Sequence, residues 1–560
     1  MRPDLPRPGL VTRTGPDGLV FLPLGGTGEI GMNLNLYGCD GAWLAIDCGL
    51  GFAESARPDV DIMVPDPVFI AERRADLVGL VITHAHEDHV GAVAWLWPQL
   101  ECPVYATPFA AAVLRRKLAE RGLVSQVKLI EYAPGSSLTL GPFGLRFVSM
   151  AHSVPEAQAV AITTPHGRVL HTGDWKLDPD PLVGPRTDEA ALAEIGASGV
   201  DVLVCDSTNA MVEGHSGSEA DVRRNLAALV RGLRGRVAFT CFSSNIARIE
   251  SIALAAHASG RSVALVGRSL RNMAAAARET GYLSSIPGFV DEEEAGYLPD
   301  DSIVFICAGS QGEPRSALSR ISADTHPNVA LGEGDTVIYS SRVIPGNERG
   351  ILMVQDALAR RGVTVMTDAD HMVHVSGHPA RDELRRLYRM VKPKHAVPVH
   401  GEWRHMSEHA ALAREMGAVP HLIEDGDMLR LSPGTPEVIE SVPSGRLAVD
   451  GSRLIPADGP VLAERRRMLD SGLVVASLAL DRAGRVVGDP VVSAPGLFSE
   501  EEAGRGTLVR ELGAAVAGLS HGALRDDDQV REAAMSALRS AVRRAAPQKR
   551  PMVSVHVLRV

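Results

Sequence analysis

Thr83-His84-Ala85-His86-Glu87-Asp88-His89 sets four metal-ligating side chains, His84, His86, Asp88 and His89, within six positions, directly after the apolar run Leu77–Thr83. Imidazole nitrogen suits zinc, and carboxylate oxygen accepts zinc or manganese. A loop at the end of a strand can turn all four groups inward, which a helix could not. One ion cannot easily use all four at this spacing. Two ions can, with His84 and His86 on one and Asp88 and His89 on the other. A pair of ions needs further donors. His152 follows the strand-like run Val148–Ala151, and Asp174 closes His171-Thr172-Gly173-Asp174. Alone, a histidine or aspartate at such a place is usually structural, and the first motif alone could be a polar loop capping the helix Val90–Leu100. Together they read as one ligand set, with Asp174 as the bridge. Asp47, in Ile46-Asp47-Cys48-Gly49, closes another strand and would orient a ligand histidine from behind.

These residues need a scaffold that brings strand ends together. Leu19–Leu24 reads as a buried strand, Asn35–Asp47 as a hairpin ending in a strand, and Val200–Cys205 as a further buried strand. Apolar runs alternate with helical stretches such as Phe109–Gly122, an α/β layered pattern. From about Ser216 the pattern restarts. Glu219–Leu233 is helical, Arg236–Cys241 a strand, Asn245–Ser259 a helix and Ser262–Gly267 a strand, as in a doubly wound domain continuing to about Gly362. Val363–Thr367, the His-rich stretch and Ala396–Val399 then resume the earlier chemistry, so one domain is inserted in another. Residues Pro433–Gly459 are rich in Pro, Gly and Ser and read as a linker passage. The tail is a small α/β unit, with a hairpin from Leu473–Leu480 and Val486–Val492, helices at about Ser499–Gly518 and Asp527–Ala545, and a last strand through Val553, Val555 and Val557. The expected boundaries are 1–212 and 363–450 for the divided domain, 213–362 for the insert, 451–470 for a linker and 471–560 for the tail.

Bulk properties agree with this division. A chain of 560 residues suggests three to four units at ~150 residues each. Its apolar share of 45% is enough for several cores. No uncharged apolar run reaches the ~18 residues of a membrane span, and no signal-like block opens the chain, so a cytoplasmic protein is expected. The six cysteines, Cys39, Cys48, Cys102, Cys205, Cys241 and Cys307, form no C-x-x-C pair and read as buried reduced thiols. The formal charge of −11 neither supports nor excludes a nucleic-acid substrate, which needs only a local basic channel.

The H-x-H-x-D-H motif, with the distant His152 and the Gly173-Asp174 pair, resembles the metallo-β-lactamase hydrolases. In that superfamily two metals hold the attacking water, whose pKa falls from 15.7 to about 7. Three more segments resemble the β-CASP nucleic-acid branch. They are Asp206 in Cys205–Asn209, His378 in His374-Val375-Ser376-Gly377-His378, and His400 in Pro398–Glu402. Longer stretches resemble the ribonuclease J family, namely Gly25–Asn33, Phe242–Ile249, Gly267–Leu270, Gly309–Ile321 and Ser340–Glu348. One departure is Pro379, where that family usually has alanine.

The resemblance implies a metallo-β-lactamase αββα sandwich with an inserted β-CASP doubly wound domain and a small C-terminal α/β domain. It implies two divalent metal ions per subunit, zinc first, with manganese or magnesium as the other candidates. His400 would complete the second metal's shell. His378 paired with Asp206 would be the general acid, and with Asp88 these form the catalytic group. His374, Val375, Ser376, Gly377 and His378 would bind the RNA backbone and its 5′-monophosphate end. The implied activity is hydrolysis of single-stranded RNA, 5′→3′ exonuclease and endonuclease, in RNA maturation and decay, leaving a 3′-hydroxyl and a 5′-phosphate. The alternative is a β-CASP DNA nuclease. Homodimers or homotetramers through the tail are expected, and no membrane. Arg248, Arg268, Arg315, Arg320 and Arg342 are candidates for the basic RNA channel. Gly26-Thr27-Gly28-Glu29-Ile30-Gly31 fits G-x-G-x-x-G, but strand rather than helix follows it, so it reads as a glycine turn near the metal floor. Asp61 and Asp450 are weaker candidates for a separate cation site.

Overall fold

The computed structural model describes residues 18–53, 60–499 and 502–560. The chain forms two compact units, Met1–Leu447 and Ala448–Val560.

The first unit contains two large sheets. One has eight strands in the order Glu437–Ser441, Asp427–Ser432, Leu19–Gly25, Leu34–Cys39, Ala42–Ile46, Leu77–Val81, Val104–Ala106 and Leu129–Glu131. The other has seven, ordered Val419–Pro420, His395–Val399, Val202–Asp206, Gly167–His171, Gln158–Thr164, Phe143–Ser149 and Ser137–Leu140. Their facing sides share one core, in which Phe21, Tyr37, Leu44 and Ile46 meet Phe147, Val160, Val204 and Val397. Each such side chain contributes about 1.5–3 kcal/mol by leaving water. The outer face of the second sheet is covered by the helices Glu189–Ser198, Arg381–Val391 and Trp403–Glu415. Leu384, Leu387, Tyr388 and Val391 are spaced three and four apart, so Arg381–Val391 turns one apolar stripe inward. This is the sandwich that the resemblance implies.

Register decides where the chemistry can sit. Val202–Asp206 pairs in parallel with both Gly167–His171 and His395–Val399. The residues that follow these strands therefore emerge at one edge. Ala42–Ile46 and Leu77–Val81 are also parallel and deliver Asp47 and His84 to one edge of their sheet.

The insert is a five-stranded sheet whose neighbouring pairs are all parallel, ordered Ser262–Val266, Ile303–Cys307, Val237–Thr240, Thr336–Tyr339 and Thr364–Met366. It is doubly wound, as expected, and its direction of progress switches at Val237–Thr240. The carboxyl ends beside that switch carry Phe242–Asn245, Ala308–Gln311 and Ser340–Arg342, segments already singled out by sequence. Such a switch point is where open α/β sheets take ligands. Thr364–Met366 pairs with Thr336–Tyr339, so the insert runs past Gly362, where the sequence places its end. The short strand carries no distinguishing pattern, which hid its membership.

The second unit has a three-stranded sheet in the order Val491–Ser493, Leu473–Leu480 and Met552–Arg559, backed by the helices Ala503–Ala517 and Asp527–Ala545. The passage read as linker is structured. Glu437–Ser441 extends the eight-stranded sheet, and Pro460–Ser471 is a helix opened by its proline and anchored by buried Leu462. Pro, Gly and Ser there mark turns between short elements rather than a spacer. All six cysteines are buried and unpaired. No helix among the described residues is long and apolar enough to cross a membrane.

Candidate metal centre

His84, His86, His152, Asp174 and His400 follow the carboxyl ends of strands, whereas Asp88 and His89 sit on the short helix Glu87–Val90, so a loop does not carry all four residues of the first motif as expected, and the two sheets bring the set together. His84, His86, His152 and Asp174 form one cluster of donor atoms, and Asp88, His89, Asp174 and His400 form a second. In the first, His86 Nδ1 lies 3.2 Å from His84 Nε2 and 3.0 Å from His152 Nε2, and Asp174 Oδ2 lies 3.7 Å from each of those two Nε2 atoms. In the second, His89 Nε2 is 3.3 Å from Asp174 Oδ2 and 3.7 Å from Asp88 Oδ2, and His400 Nε2 is 3.1 Å from Asp88 Oδ2. Donors about 2.0–2.2 Å from a tetrahedral zinc sit roughly 3.3–3.6 Å apart, so both clusters have the spacing of a shared ion.

Asp174 is the test of that fit. Both of its carboxylate oxygens are buried and have no hydrogen-bond partner among the described residues. An unpaired buried carboxylate costs several kcal/mol unless a cation meets it. Belonging to both clusters, it can face an ion on each side.

The other nitrogen of each ligand histidine is also held. His89 Nδ1 donates to Asp47 Oδ2 at 2.7 Å, and Asp47 in turn accepts from Thr83 N and Thr83 Oγ1, both at 2.8 Å. His152 Nδ1 donates to the Gly377 carbonyl at 2.6 Å. His400 Nδ1 meets Thr208 Oγ1 at 2.8 Å, His84 Nδ1 meets Thr83 Oγ1 at 3.0 Å, and His86 Nε2 meets Ser153 Oγ at 3.2 Å. Such contacts fix tautomer and ring direction. Sequence reasoning named only Asp47 among these partners. Thr83, Thr208, Ser153 and the Gly377 carbonyl had no signal beyond adjacency to a ligand or motif.

Backbone strain marks the same place. Asp47 and His400 both sit in the left-handed region, with φ of 64° and 53°. A non-glycine residue there costs about 1–3 kcal/mol and persists only where surroundings impose it. His400 N donates to the Gly26 carbonyl at 2.7 Å, and Asn33 N to the Asp88 carbonyl at 3.0 Å, so the glycine turn does form the floor of the centre. Strand Leu34–Cys39 follows it, not the helix a dinucleotide site needs.

Beside the clusters, His378 Nδ1 donates to Asp206 Oδ2 at 2.8 Å. Burial works against charge on this imidazole, yet the Asp206 and Asp174 carboxylates outweigh burial and raise its pKa above the ordinary value. Burial, by contrast, pushes His86 down to about 4 and holds His84 and His152 well below normal, leaving all three neutral and able to offer lone pairs.

The His374–His378 segment is shaped by its neighbours. Asn209 Nδ2 donates to Ser376 Oγ at 2.7 Å and to the His378 carbonyl at 3.1 Å, and His378 N donates to Ser376 Oγ at 3.2 Å. A Cβ on Gly377 would stand 2.7 Å from His152 Cε1, so the close approach this glycine permits is to a ligand ring. Val375 is buried against Gly217. Burial, then Arg248, Lys176 and Arg342, hold His374 far below its usual pKa, and its Nδ1 is buried without a hydrogen-bond partner among the described residues. Glu383, 1% exposed, was missed. It accepts from Leu177 N, Ser216 N, Ser216 Oγ and Ala380 N, all at 2.9 Å, and so binds the Asp174 loop and both crossovers of the insert.

Two expectations are corrected. Arg248 is fully buried and cannot line an RNA channel. Its place on a helix after a polar turn looked exposed, but the carboxylate of Glu219 covers it. Arg268, Arg315, Arg320 and Arg342 are exposed. Asp61 pairs with Arg315, and Asp450 with Arg453 and Arg465, so arginines rather than a shared cation meet these carboxylates.

Four family models match the chain. They are a beta-lactamase superfamily domain over residues 42–238, the ribonuclease J beta-CASP domain over 234–358, a Zn-dependent metallo-hydrolase RNA specificity domain over 362–423, and the ribonuclease J C-terminal domain over 460–560. The ribonuclease J of Sinorhizobium meliloti is 44% identical over 551 residues, covering 97% of each chain. That of Mycobacterium tuberculosis is 38% identical over 524 residues, 92% of each chain. That of Thermus thermophilus is 36% identical, covering 95% of this chain and 90% of its own. A crystal structure of an Enterococcus faecalis protein of unknown function shares the fold, with a TM-score of 0.50 and 17% identity, over 73% of this chain and 99% of that one.

Proposed function

The chain belongs to the ribonuclease J family, and from that premise we propose that it degrades and matures RNA as a 5′→3′ exonuclease and an endonuclease. It is a metal-dependent ribonuclease, and the RNA specificity domain favours RNA over the DNA-nuclease alternative. The observation that carries the mechanism is Asp174, a buried carboxylate ringed by histidines but without a hydrogen-bond partner among the described residues, and common to two donor clusters.

In this reading His84, His86, His152 and Asp174 would hold one divalent ion, and Asp88, His89, His400 and Asp174 would hold the other, zinc in both. Bound there, such ions would lower the pKa of water from 15.7 to about 7 and polarise phosphoryl oxygen. The protein's own groups supply the rest. Asp47 orients His89, and Thr208 orients His400. Asp206 occupies Nδ1 of His378, which leaves Nε2 to deliver a proton to the departing 3′ oxygen. The products are a 3′-hydroxyl and a 5′-phosphate. Ser376, Gly377 and neutral His374 cradle the backbone phosphate and the 5′-monophosphate end.

RNAs labelled internally and carrying a 5′-monophosphate or a 5′-triphosphate test this reading. Rapid release of mononucleotides from the monophosphate form alone is expected. Equal internal cuts in both would remove the end-sensing assignment, and cleavage that persists in chelator would remove the metal mechanism.

A pH profile tests the acid. The rate should fall as pH rises through the His378 pKa, because only the protonated ring donates. Asp206→Asn removes the carboxylate that raises that pKa, so the fall should begin at lower pH. An unmoved alkaline limb would assign the proton to another group. We further propose that the second unit mediates self-association and that the enzyme works in the cytoplasm. Removing residues 470–560 should lower the number of chains per particle by analytical ultracentrifugation, and an unchanged number would place the contact elsewhere.

A further inference from the structure

The segment carrying His378 leaves the inserted domain through Met372 and Val373, where it is held from three elements. Asn225 Nδ2 donates to the Met372 carbonyl at 2.9 Å. Ser340 Oγ donates to the Val373 carbonyl at 2.6 Å, and Arg248 Nη1 donates to the same carbonyl at 2.7 Å. Arg248 Nη1 also reaches the Ser340 carbonyl at 2.9 Å and Ser340 Oγ at 2.6 Å. Glu219 closes the opposite edge of the guanidinium, accepting from Nη2 at 3.0 Å on both carboxylate oxygens and from Nε at 3.3 Å.

A buried ion pair is a poor source of stability, because desolvating two charges cancels most of their attraction. What this one supplies is direction. The guanidinium is planar and its donors point at fixed angles. With Glu219 on one edge, the other edge is committed to Val373 and Ser340. Glu219 is itself placed by its amide, which donates to Asp178 Oδ2 at 2.9 Å, and Asp178 is paired with Lys176 at 2.8 Å. Lys176 lies two residues after Asp174. Two buried ion pairs, Lys176–Asp178 and Glu219–Arg248, joined by the Glu219 amide on Asp178, thus set the loop bearing the shared carboxylate and the loop bearing the acid in register.

We infer that Arg248, backed by Glu219 and coupled through Ser340, is a positioning residue for the general acid. It fixes where the His374–His378 loop leaves the insert, and so where the His378 ring stands relative to the departing oxygen. It touches no RNA. The inference rests on the reading of His378 as the acid given above.

Leaving-group dependence tests it in the full-length, metal-loaded protein. The substrates are a 5′-monophosphorylated RNA and the same RNA with sulfur replacing the 3′ bridging oxygen at the scissile bond. The thiolate departs without needing a proton. Ser340→Ala deletes one donor, and Arg248→Lys keeps the charge but loses the fork. Single-turnover cleavage of the oxygen linkage should slow on the order of tenfold in Ser340→Ala, short of the about 10²–10⁴ that a general acid supplies, and more in Arg248→Lys. The sulfur linkage should slow less than about twofold, with KM and metal content near the parent's. Equal slowing on both linkages would mean a merely structural role, and unchanged rates in Ser340→Ala and folded Arg248→Lys would equally overturn the inference. If Arg248→Lys does not fold, Ser340→Ala decides alone. His378→Ala is the reference. Strong leaving-group dependence there without it in Ser340→Ala sinks only the positioning role, whereas its absence in His378→Ala sinks the acid and the positioning role together.

Discussion

Asp174→Ala should leave a folded chain that retains neither metal firmly and cleaves RNA about 10⁴-fold or more slowly, the scale on which losing one member of a cooperating catalytic unit acts. No other candidate ligand belongs to both clusters, so no other single change withdraws a donor from each. Asp88→Ala and His84→Ala should each strip one position and spare part of the metal at the other. The carboxylate of Asp174 is buried with five histidines within 4 Å, and burial alone would push its pKa up. The neighbouring His400, His89 and His378 reverse that and hold it well below the usual carboxylate range. It is therefore charged and available to cations at neutral pH. The check is metal content after desalting, alongside thermal unfolding with and without chelator. Bound ions stabilise the folded state by mass action, so the parent should lose melting temperature in chelator and the variant should not. A variant that keeps two ions per chain would remove the bridge from the mechanism.

His378→Ala should behave differently. Metal content should match the parent, because the ring is not needed to complete either four-residue cluster, while the chemical step slows by about 10²–10⁴-fold. KM should change far less than kcat, since the loss falls on proton delivery rather than on RNA backbone contacts. Its partner Asp206 is buried, and a substitution there also disturbs Thr208, whose amide donates to Asp206 Oδ1 at 2.8 Å. Thr208 in turn holds His400. The cleaner experiment is therefore at His378. Lost metal would show that the ring serves the ligand set, as its donor-atom proximity to Asp174, Asp206 and His400 would then explain.

The candidate donor set, which the fold brings together in two clusters, was legible because its chemistry is dense. His84, His86, Asp88 and His89 lie within one turn of chain, and no ordinary loop needs that composition. His152, Asp174 and His400 were legible only by position, each just past an apolar run that had to be a strand. The supporting contacts were not legible, because they join residues far apart in sequence through atoms every residue carries. The Gly377 carbonyl that holds His152 is a backbone group, and nothing in the identity of residue 377 announces it. Arg248 misled for a related reason. An arginine on an amphipathic helix is normally solvated, and only the fold brings Glu219 and Val373 against it. The doubly wound pattern of the insert was plain from its alternation, while the three-residue strand Thr364–Met366 was too short to carry a period.

The strap from Gly377 to His152 has a consequence for how the enzyme comes into being. The residues of the first cluster, His84, His86, His152 and Asp174, all precede the insert, whereas Gly377, His378 and His400 all follow it. On the ribosome, the nascent chain presents the first cluster long before the residues that steady and complete the centre. A chain interrupted anywhere within the insert lacks the proposed acid His378, the proposed ligand His400 and the Gly377 carbonyl that holds His152. Domain insertion thus ties the completion of the candidate centre to the synthesis of the whole insert and of the return segment as far as His400.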